Sequence, residues 1–381
     1  MVLLPKFSLS VEVPKNFPEG ALWVHAPSVG EFNTAKPLLE LFKEQNTPIV
    51  LTFSSPRAED YLKKQSLPDW VLPLPLPLGF FIDRFVKRVK PRVLLIVESD
   101  RYPALLGASV PFKAVVNARI SERSFKNIKR FPFLKNALRG VDKYLCKSER
   151  DCALFRALGV PEERLIPCGN LKAVMPQRLE GIKPPLRFPK GRFVLVLGST
   201  HGGEEKELLR ALRVLFGRIK TLAVVVAPRH TARAGEVFRL LKGAFPKKRI
   251  QLRSEVKGNT FEGDILVVDT LGELLGFYSV CDAAFVGGSL VPIGGHNLLE
   301  PAYFGKPVFY GPFVEKFGDL EEILREMGLA FPIGGAEGLV EGVLSVFKNP
   351  PKAAFDLKEY GRKILECYER ELQPVYNPSA G

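Results

Sequence analysis

Long apolar runs are missing from this chain. No stretch of about eighteen apolar residues occurs, so no membrane-spanning helix is expected. The start, Met1-Val2-Leu3-Leu4-Pro5-Lys6, lacks the apolar core of a signal peptide, which points to the cytoplasm. Cysteine is sparse: Cys146, Cys152, Cys168, Cys281 and Cys367 are five in number, dispersed and without a CxxC pair. That pattern argues against a disulfide framework and against a zinc site, and the five read as small core or surface residues. Neither a metal nor a cofactor is expected. There is no GxxxxGK[ST] loop and no GxGxxG fingerprint, which excludes a P-loop nucleotidase and a nicotinamide dehydrogenase. No RRM, helix-turn-helix or zinc-finger pattern supports a nucleic-acid partner. Histidine is rare as well, with only His25, His201, His230 and His296.

What is present suits a soluble globular protein: 46% apolar and 25% charged residues. A length of 381 residues favours two domains over one core. The net charge of +14 is concentrated. Arg84 to Lys147 holds 16 Lys/Arg and 4 Asp/Glu, a net +12, and the remainder is nearly balanced. Such a region implies an anionic partner, whether nucleic acid, anionic lipid or a phosphorylated acceptor.

Both halves alternate short apolar runs with amphipathic segments. Leu22–Ala26, Ile49–Phe53, Val93–Val97 and Ala114–Asn117 read as strands in the first half. Phe193–Leu197, Leu222–Val226, Ile265–Val268, Ala283–Val286 and Val308–Tyr310 read as strands in the second. Continuous apolar strands mean parallel sheets covered on both faces. The expected fold is α/β, with two doubly wound Rossmann-like domains facing a central cleft. The expected boundaries are 1–180 for the first domain, 181–191 for a proline- and glycine-rich linker and 192–350 for the second domain. A helix in 351–381, from about Ala353 to Leu372, packs back toward the first domain.

Ligands of open α/β sheets bind beyond the carboxyl ends of the strands, and the polar motifs of this chain follow strands. The four histidines all fall at strand ends, a pattern assigned to a cleft. His25-Ala26-Pro27-Ser28-Val29-Gly30-Glu31 leads into a helix. Glu31, in its first turn, is either a dipole-stabilised cap or a general base. Glu98 follows a buried strand and needs a partner there. Asn117-Ala118-Arg119-Ile120-Ser121-Glu122-Arg123 offers Ser121 as a helix cap and Arg119 and Arg123 as anion ligands. Gly169-Asn170-Leu171-Lys172 offers a cation.

In the second half, Gly198-Ser199-Thr200-His201-Gly202-Gly203 is a phosphate-ready turn. Arg229, after Ala227-Pro228, suits a phosphate. Asp269-Thr270-Leu271-Gly272-Glu273 reads either as a capping motif or as a base or ribose contact. The longest motif is Gly287-Gly288-Ser289-Leu290-Val291-Pro292-Ile293-Gly294-Gly295-His296-Asn297-Leu298-Leu299-Glu300-Pro301. It reads as a strand, a glycine loop and a helix N-terminus from about His296 to Phe304, with free backbone N–H groups for a phosphate. Asn297 serves as a helix cap on the plainer reading.

Taken in order, HAPSVGE, NARISERS, GNLK, GSTHGGEE, APRH, DTLGELL and GGSLVPIGGHNLLEPAYFGKPVFYGP resemble the Kdo (3-deoxy-D-manno-octulosonic acid) transferases of Gram-negative bacteria. The resemblance runs from about Trp23 to Pro312. It implies a GT-B glycosyltransferase of lipopolysaccharide synthesis. Such an enzyme moves Kdo from CMP-Kdo to a lipid A precursor, lipid IVA, with inversion and without a required metal. It implies Glu31 as base, with Glu98 and Lys172 steadying transition-state charge. Pro228, Arg229, Leu271, Gly272, Glu273, Asn297 and Glu300 would bind CMP, and Ser199, Thr200 and Gly295 would line the donor phosphate. A peripheral place on the cytoplasmic face of the inner membrane is implied too, held by the basic, phenylalanine-bearing segments Phe80–Arg88 and Phe125–Lys135 on an anionic surface. The alternatives are another GT-B enzyme, a UDP-sugar transferase or epimerase, and a nucleic-acid-binding protein. Two departures stand out: no apolar N-terminal anchor, and Val97-Glu98-Ser99-Asp100-Arg101-Tyr102-Pro103 in place of a Glu-Thr-Glu-Leu-Trp-Pro-type string.

Overall fold

A computed structural model describes residues 7–8, 17–98, 102–175, 179, 181–315, 317–350 and 356–376. The chain forms two compact units. The first comprises Met1–Pro176 and Gly361–Gly381, the second Gln177–Tyr360. Ser99, Asp100, Arg101 and the tail Asn377–Gly381 lie outside the described residues.

The first unit holds a sheet of β1 (Phe7–Ser8), β2 (Leu22–His25), β3 (Ile49–Phe53), β4 (Trp70–Pro75), β5 (Val93–Val97), β6 (Phe112–Ala118), β7 (Lys143–Cys146) and β8 (Leu165–Pro167). Their order is β1-β4-β3-β2-β5-β6-β7-β8, and every pairing is parallel. All five residues of β3 and of β5 are buried, as strands covered on both faces must be. The helix Val29–Glu44 lays Phe32, Ala35, Leu38, Leu39 and Phe42 inward at helical spacing.

The second sheet contains β9 (Phe193–Thr200), β10 (Leu222–Pro228), β11 (Ile250–Leu252), β12 (Ile265–Val267), β13 (Ala283–Val286), β14 (Val308–Tyr310) and β15 (Ala330–Pro332). Its order is β11-β12-β10-β9-β13-β14-β15, again parallel. Along β9, Phe193, Leu195 and Leu197 join one hydrophobic cluster while Val194 and Val196 join another. That is the two-residue alternation of a strand with a core on each face.

The strand order reverses between β2 and β5 in the first sheet and between β9 and β13 in the second. Loops leaving the carboxyl ends of two such strands diverge to opposite faces and leave a crevice. Ser28–Glu31 and Glu98 follow β2 and β5, and 201–204 and 287–298 follow β9 and β13.

Three sequence expectations need correction. The stretch 181–191 is no free linker. Leu186 is buried in the second unit's core, and Arg187 is bonded through its N–H to Asn259 (2.7 Å) and its carbonyl to Phe261 (2.9 Å). The apolar Leu186 outweighs its proline-rich surroundings. The expected helix start near Ala353 lies outside the described residues, and the last helix runs Leu357–Tyr376, past the expected end at Leu372. Most consequentially, Cys168 and Cys367 form a disulfide across a sequence separation of 199, with Cα atoms 5.4 Å apart. Spacing rules address local motifs, so a pair joined only by the return of the last helix leaves no trace in them. β1, β4, β7, β8, β11 and β15 were not anticipated either, because the prolines of β4 and the brevity of the others mask their pattern. Among the described residues no helix is long and apolar enough to cross a membrane.

Cys146, Cys152 and Cys281 are free and buried. Alkylation of the unfolded, unreduced protein is therefore expected to modify three cysteines, and five after reduction. Cys367→Ser is expected to cost about 2–4 kcal/mol of stability in denaturant melts, the usual worth of a long-range cross-link. Five reactive thiols before reduction would remove the bond.

Candidate active site

In the first unit the crevice is built around Glu98. This residue adopts a left-handed conformation (φ 56°) as β5 ends, and only 8% of its surface is exposed. A buried carboxylate must be paired. Arg119 Nε approaches one oxygen at 2.9 Å, and Lys172 Nζ approaches the other at 3.2 Å. Asn117 Nδ2 donates to the latter oxygen at 2.8 Å, and Thr34 Oγ1 lies 3.5 Å from it. Burial pushes the Glu98 carboxyl up, but Lys172, Arg119 and the Asn117 bond outweigh it and hold the group below its ordinary value of 4.5. The bland and functional expectations for Glu98 and Lys172 thus meet in one ion pair. Arg119 and Lys172 keep about half of their side-chain surface open.

Glu31 sits in the first turn of the helix Val29–Glu44, half-buried. Ser28 caps that helix, accepting from Gly30 N–H at 3.2 Å and donating its hydroxyl to the Glu31 carboxylate. Thr34, one turn on, also donates to the Gly30 carbonyl at 3.0 Å, which ties this helix start to the Glu98 cluster. His25 is different. It is wholly buried against Thr52 (3.1 Å) and the edge of Tyr102, and burial lowers its pKa to about 3. The assignment of all four histidines to a cleft therefore fails for His25. Ser121 caps the helix Glu122–Arg130 through Ser124 N–H (3.1 Å), as the plainer reading had it, and Arg123 is exposed.

In the second unit a residue that sequence reasoning passed over organises the site. Glu204 has no exposed surface. Its carboxylate accepts backbone N–H bonds from His201 (2.8 Å), Gly288 (2.9 Å), Ser289 (3.1 Å) and Leu290 (3.0 Å). This corrects the reading of the glycine loop. The N–H groups of residues 288–290 are not free for a phosphate, because an internal carboxylate already occupies them. The helix that follows is only Leu299–Ala302. Gly287 is required by close approach, since a Cβ there would overlap the Ser199 carbonyl oxygen. Gly295 holds a left-handed backbone (φ 73°) that favours glycine, and a Cβ there would lie 3.1 Å from Val314 Cγ1.

Glu204 also sets the loops that carry two histidines. His201 and His296 stack with ring centroids 4.9 Å apart, and their Nε2 atoms approach to 2.6 Å. One ring must donate and the other accept. His230 meets His201 edge-on at 5.9 Å. Burial holds the His201 pKa below its ordinary value, and His230, Arg229 and Arg233 add to that against the opposing pull of Glu204. The exposed Arg229 gives this edge a positive field, and among the described residues no carboxylate pairs with it. Arg233 is already paired with Glu205 at 2.7 Å.

The remaining expected residues divide. Ser199 holds φ 55° at the strand end, and Pro228 is buried in the β10 end. Thr200 has a buried hydroxyl without a partner among the described residues, and the residue lines a small pocket with Leu197 and Leu208. Leu271 is 85% exposed beside Gly272 (φ 82°). Glu273 accepts the Thr270 hydroxyl and pairs with Arg253 at 3.0 Å, and the helix that follows, Leu274–Val280, has Glu273 at its cap position without a side-chain cap bond, so the capping reading does not hold. Arg253 and Ser254, which hold this loop, gave no sequence signal. Asn297 accepts from Leu299 N–H (3.2 Å) as a cap and donates to Glu300 at 3.3 Å.

Three comparisons bear on this arrangement. The profile of the 3-deoxy-D-manno-octulosonic-acid transferase (kdotransferase) family matches residues 6–175. A 3-deoxy-D-manno-octulosonic acid transferase of Aquifex aeolicus (strain VF5) is 35% identical over 356 residues, which is 93% of this chain and 93% of that protein. The chain belongs to the Kdo transferase family. The Haemophilus influenzae protein of the same name is 29% identical over 91% of this chain and 84% of its own length. Among solved structures, the UDP-GlcNAc 2-epimerase of Methanocaldococcus jannaschii aligns with a TM-score of 0.56 at 12% identity, covering 92% of this chain and 99% of that one. At that identity the likeness speaks to fold alone, and it agrees with the GT-B class. This Kdo transferase is accordingly an enzyme, a glycosyltransferase.

The depressed Glu98 pKa has a sign. Its contribution to stability is fully present above the ordinary value of 4.5 and is lost as pH falls through the lower folded value. Glu98→Gln is expected to cost about 1–3 kcal/mol near neutrality, with the gap narrowing in acid-shifted melts. A gap independent of pH would contradict an ionised Glu98.

Proposed function

We propose that this Kdo transferase carries Kdo from CMP-Kdo to a lipid A precursor such as lipid IVA, with inversion, and that Glu31 is its base. The reading is carried by Glu31's position: a half-buried carboxylate at a helix start, beside a carboxylate–cation cluster at the sheet's switch point. An acceptor hydroxyl attacks the anomeric carbon of Kdo and forms the new glycosidic bond. The bond to CMP breaks with its electron pair leaving on the phosphate, and Glu31 takes the hydroxyl proton. A carboxylate in the first turn is favoured in its charged, proton-accepting form by the helix dipole. Lys172 and Arg119, which pair with Glu98 and keep about half of their side-chain surface exposed, suit an anionic sugar. Arg229 with the histidine cluster suits the phosphate of CMP. Leu271, Gly272, Glu273, Asn297 and Glu300 are assigned to the nucleotide on the family pattern.

Glu31→Gln is expected to lower turnover about 10²–10⁴-fold. CMP affinity should stay at the wild-type value, read by mass spectrometry of the product and by calorimetry. More than roughly a tenth of wild-type turnover would remove Glu31 from the role.

The acceptor would be a lipid, and the first unit offers a surface for one. The helix Gly79–Val89 buries Ile82, Phe85 and Val89 while Phe80 stands 71% exposed next to Leu78. Arg84, Lys87 and Arg88 are exposed on the same helix. Phe133, 63% exposed, and Phe131 accompany the exposed Lys126, Lys129 and Arg130. Exposed phenylalanines among cations are the features of an interfacial surface. Binding at the cytoplasmic face of the inner membrane follows from this reading. Cosedimentation with anionic vesicles is expected to fall as salt rises and the Debye length drops below about 8–10 Å. Equal binding to neutral vesicles would remove the electrostatic component.

A further inference from the structure

The β6 strand carries a bulge between Val116 and Ala118, where its register to β7 shifts. At the bulge Asn117 takes a left-handed backbone (φ 50°), and its N–H leaves the ladder. An N–H in that position, fully buried, needs an acceptor. The acceptor comes from 251 positions away: Tyr368 Oη, at 3.1 Å. The Tyr368 hydroxyl has two carbonyls in reach for its own proton, Gly169 at 3.0 Å and Leu145 at 3.3 Å. Tyr368 has no exposed surface.

Asn117 then spans the Glu98 cluster. Its Nδ2 donates to Glu98 Oε1 (2.8 Å), and its Oδ1 accepts the N–H of Leu171 (2.9 Å). Leu171 precedes Lys172, whose own N–H is held by Asn170 Oδ1 at 3.1 Å. The helix bearing Tyr368 is pressed onto the same turn. A Cβ on Gly169 would lie 2.8 Å from Ile364 Cγ1, and one on Gly361 would lie 2.9 Å from the Ala173 carbonyl oxygen. The Cys168–Cys367 bond joins the residue before Gly169 to the residue before Tyr368.

We infer that Tyr368 is a positioning residue: through Asn117 and the Gly169–Lys172 turn, the last helix sets the Glu98–Lys172 pair for the transfer reaction. Tyr368 touches no substrate and acts only through these groups. The inference rests on the role proposed above for Glu98 and Lys172, and the tests below separate the two. A geometric error in such a pair is costly, because a misplacement of about 1 Å can lower a rate by two orders of magnitude.

The test uses the full-length chain carrying Tyr368→Phe, which keeps the ring and removes only the hydroxyl. Hydrogen exchange at the Leu171 and Lys172 amides is expected to quicken by about tenfold, with β2 and β3 unchanged. Turnover at saturating CMP-Kdo should fall roughly ten- to a hundredfold with the donor KM within about twofold of wild type. Cys367→Ser, which frees the same helix by another route, should move both readings in the same direction. Unchanged exchange at Leu171 in both variants overturns the inference without reference to activity. Quickened exchange with wild-type turnover, where Glu98→Gln is impaired, also overturns it. A fully active Glu98→Gln removes the role of Glu98 instead, and the exchange data then decide whether Tyr368 positions the turn.

Discussion

Each sheet buries one glutamate at the carboxyl end of its central strands, and the loops around it are arranged to neutralise that charge. Stripping water from a carboxylate costs several kcal/mol unless charge or hydrogen bonds replace it. Glu98 and Glu204 meet this cost in different ways. Glu98 uses side-chain cations and an amide, so the positions of Arg119, Asn117 and Lys172 follow from it. Glu204 uses backbone, gathering N–H groups from the loops after β9 and β13 onto one carboxylate.

These two solutions leave different surfaces for a ligand. Around Glu98, Arg119 and Lys172 keep about half of their side-chain surface exposed, so a carboxylate sunk in the fold is lined by two cations that reach the surface. Around Glu204 the amides of His201, Gly288, Ser289 and Leu290 are consumed. What then faces outward is imidazole and guanidinium: His201, His296 and His230 with Arg229. A phosphate meeting this edge would be recognised by side chains more than by a nest of backbone amides. The glycines there serve the packing of loop on loop, as the Ser199 carbonyl beneath Gly287 makes plain.

The last helix gives the first unit a dependence on a segment remote in sequence. Its glycine, tyrosine and cysteine touch the turn that carries Lys172. A strand bulge that frees an N–H is tolerable only because a hydroxyl arrives to accept it. The exposed Phe80 and Phe133 lie on other helices of that unit, so its core and its surface apolar groups remain distinct populations.

The strands that carry the site, β2, β3, β5, β6, β9, β10, β12, β13 and β14, were legible from the sequence. Continuous apolar runs bounded by glycine and proline have a strong local signal. The order of motifs after those strands sufficed for the family and for the positions of Glu31, Glu98, Lys172 and Arg229. Local periodicity did not reach the rest. Leu186 reads as linker until a core closes over it. Glu204 reads as one of two acidic residues at a helix start until four amides converge on it. Thr200 and Ser199 are adjacent and chemically alike, yet only the pleat and the bulged end of β9 decide which hydroxyl is buried. Cys168, Cys367, Tyr368 and Asn117 came together through a return of the chain over about two hundred residues. Residues are paired by position in space at that separation, and no spacing rule along the chain encodes it.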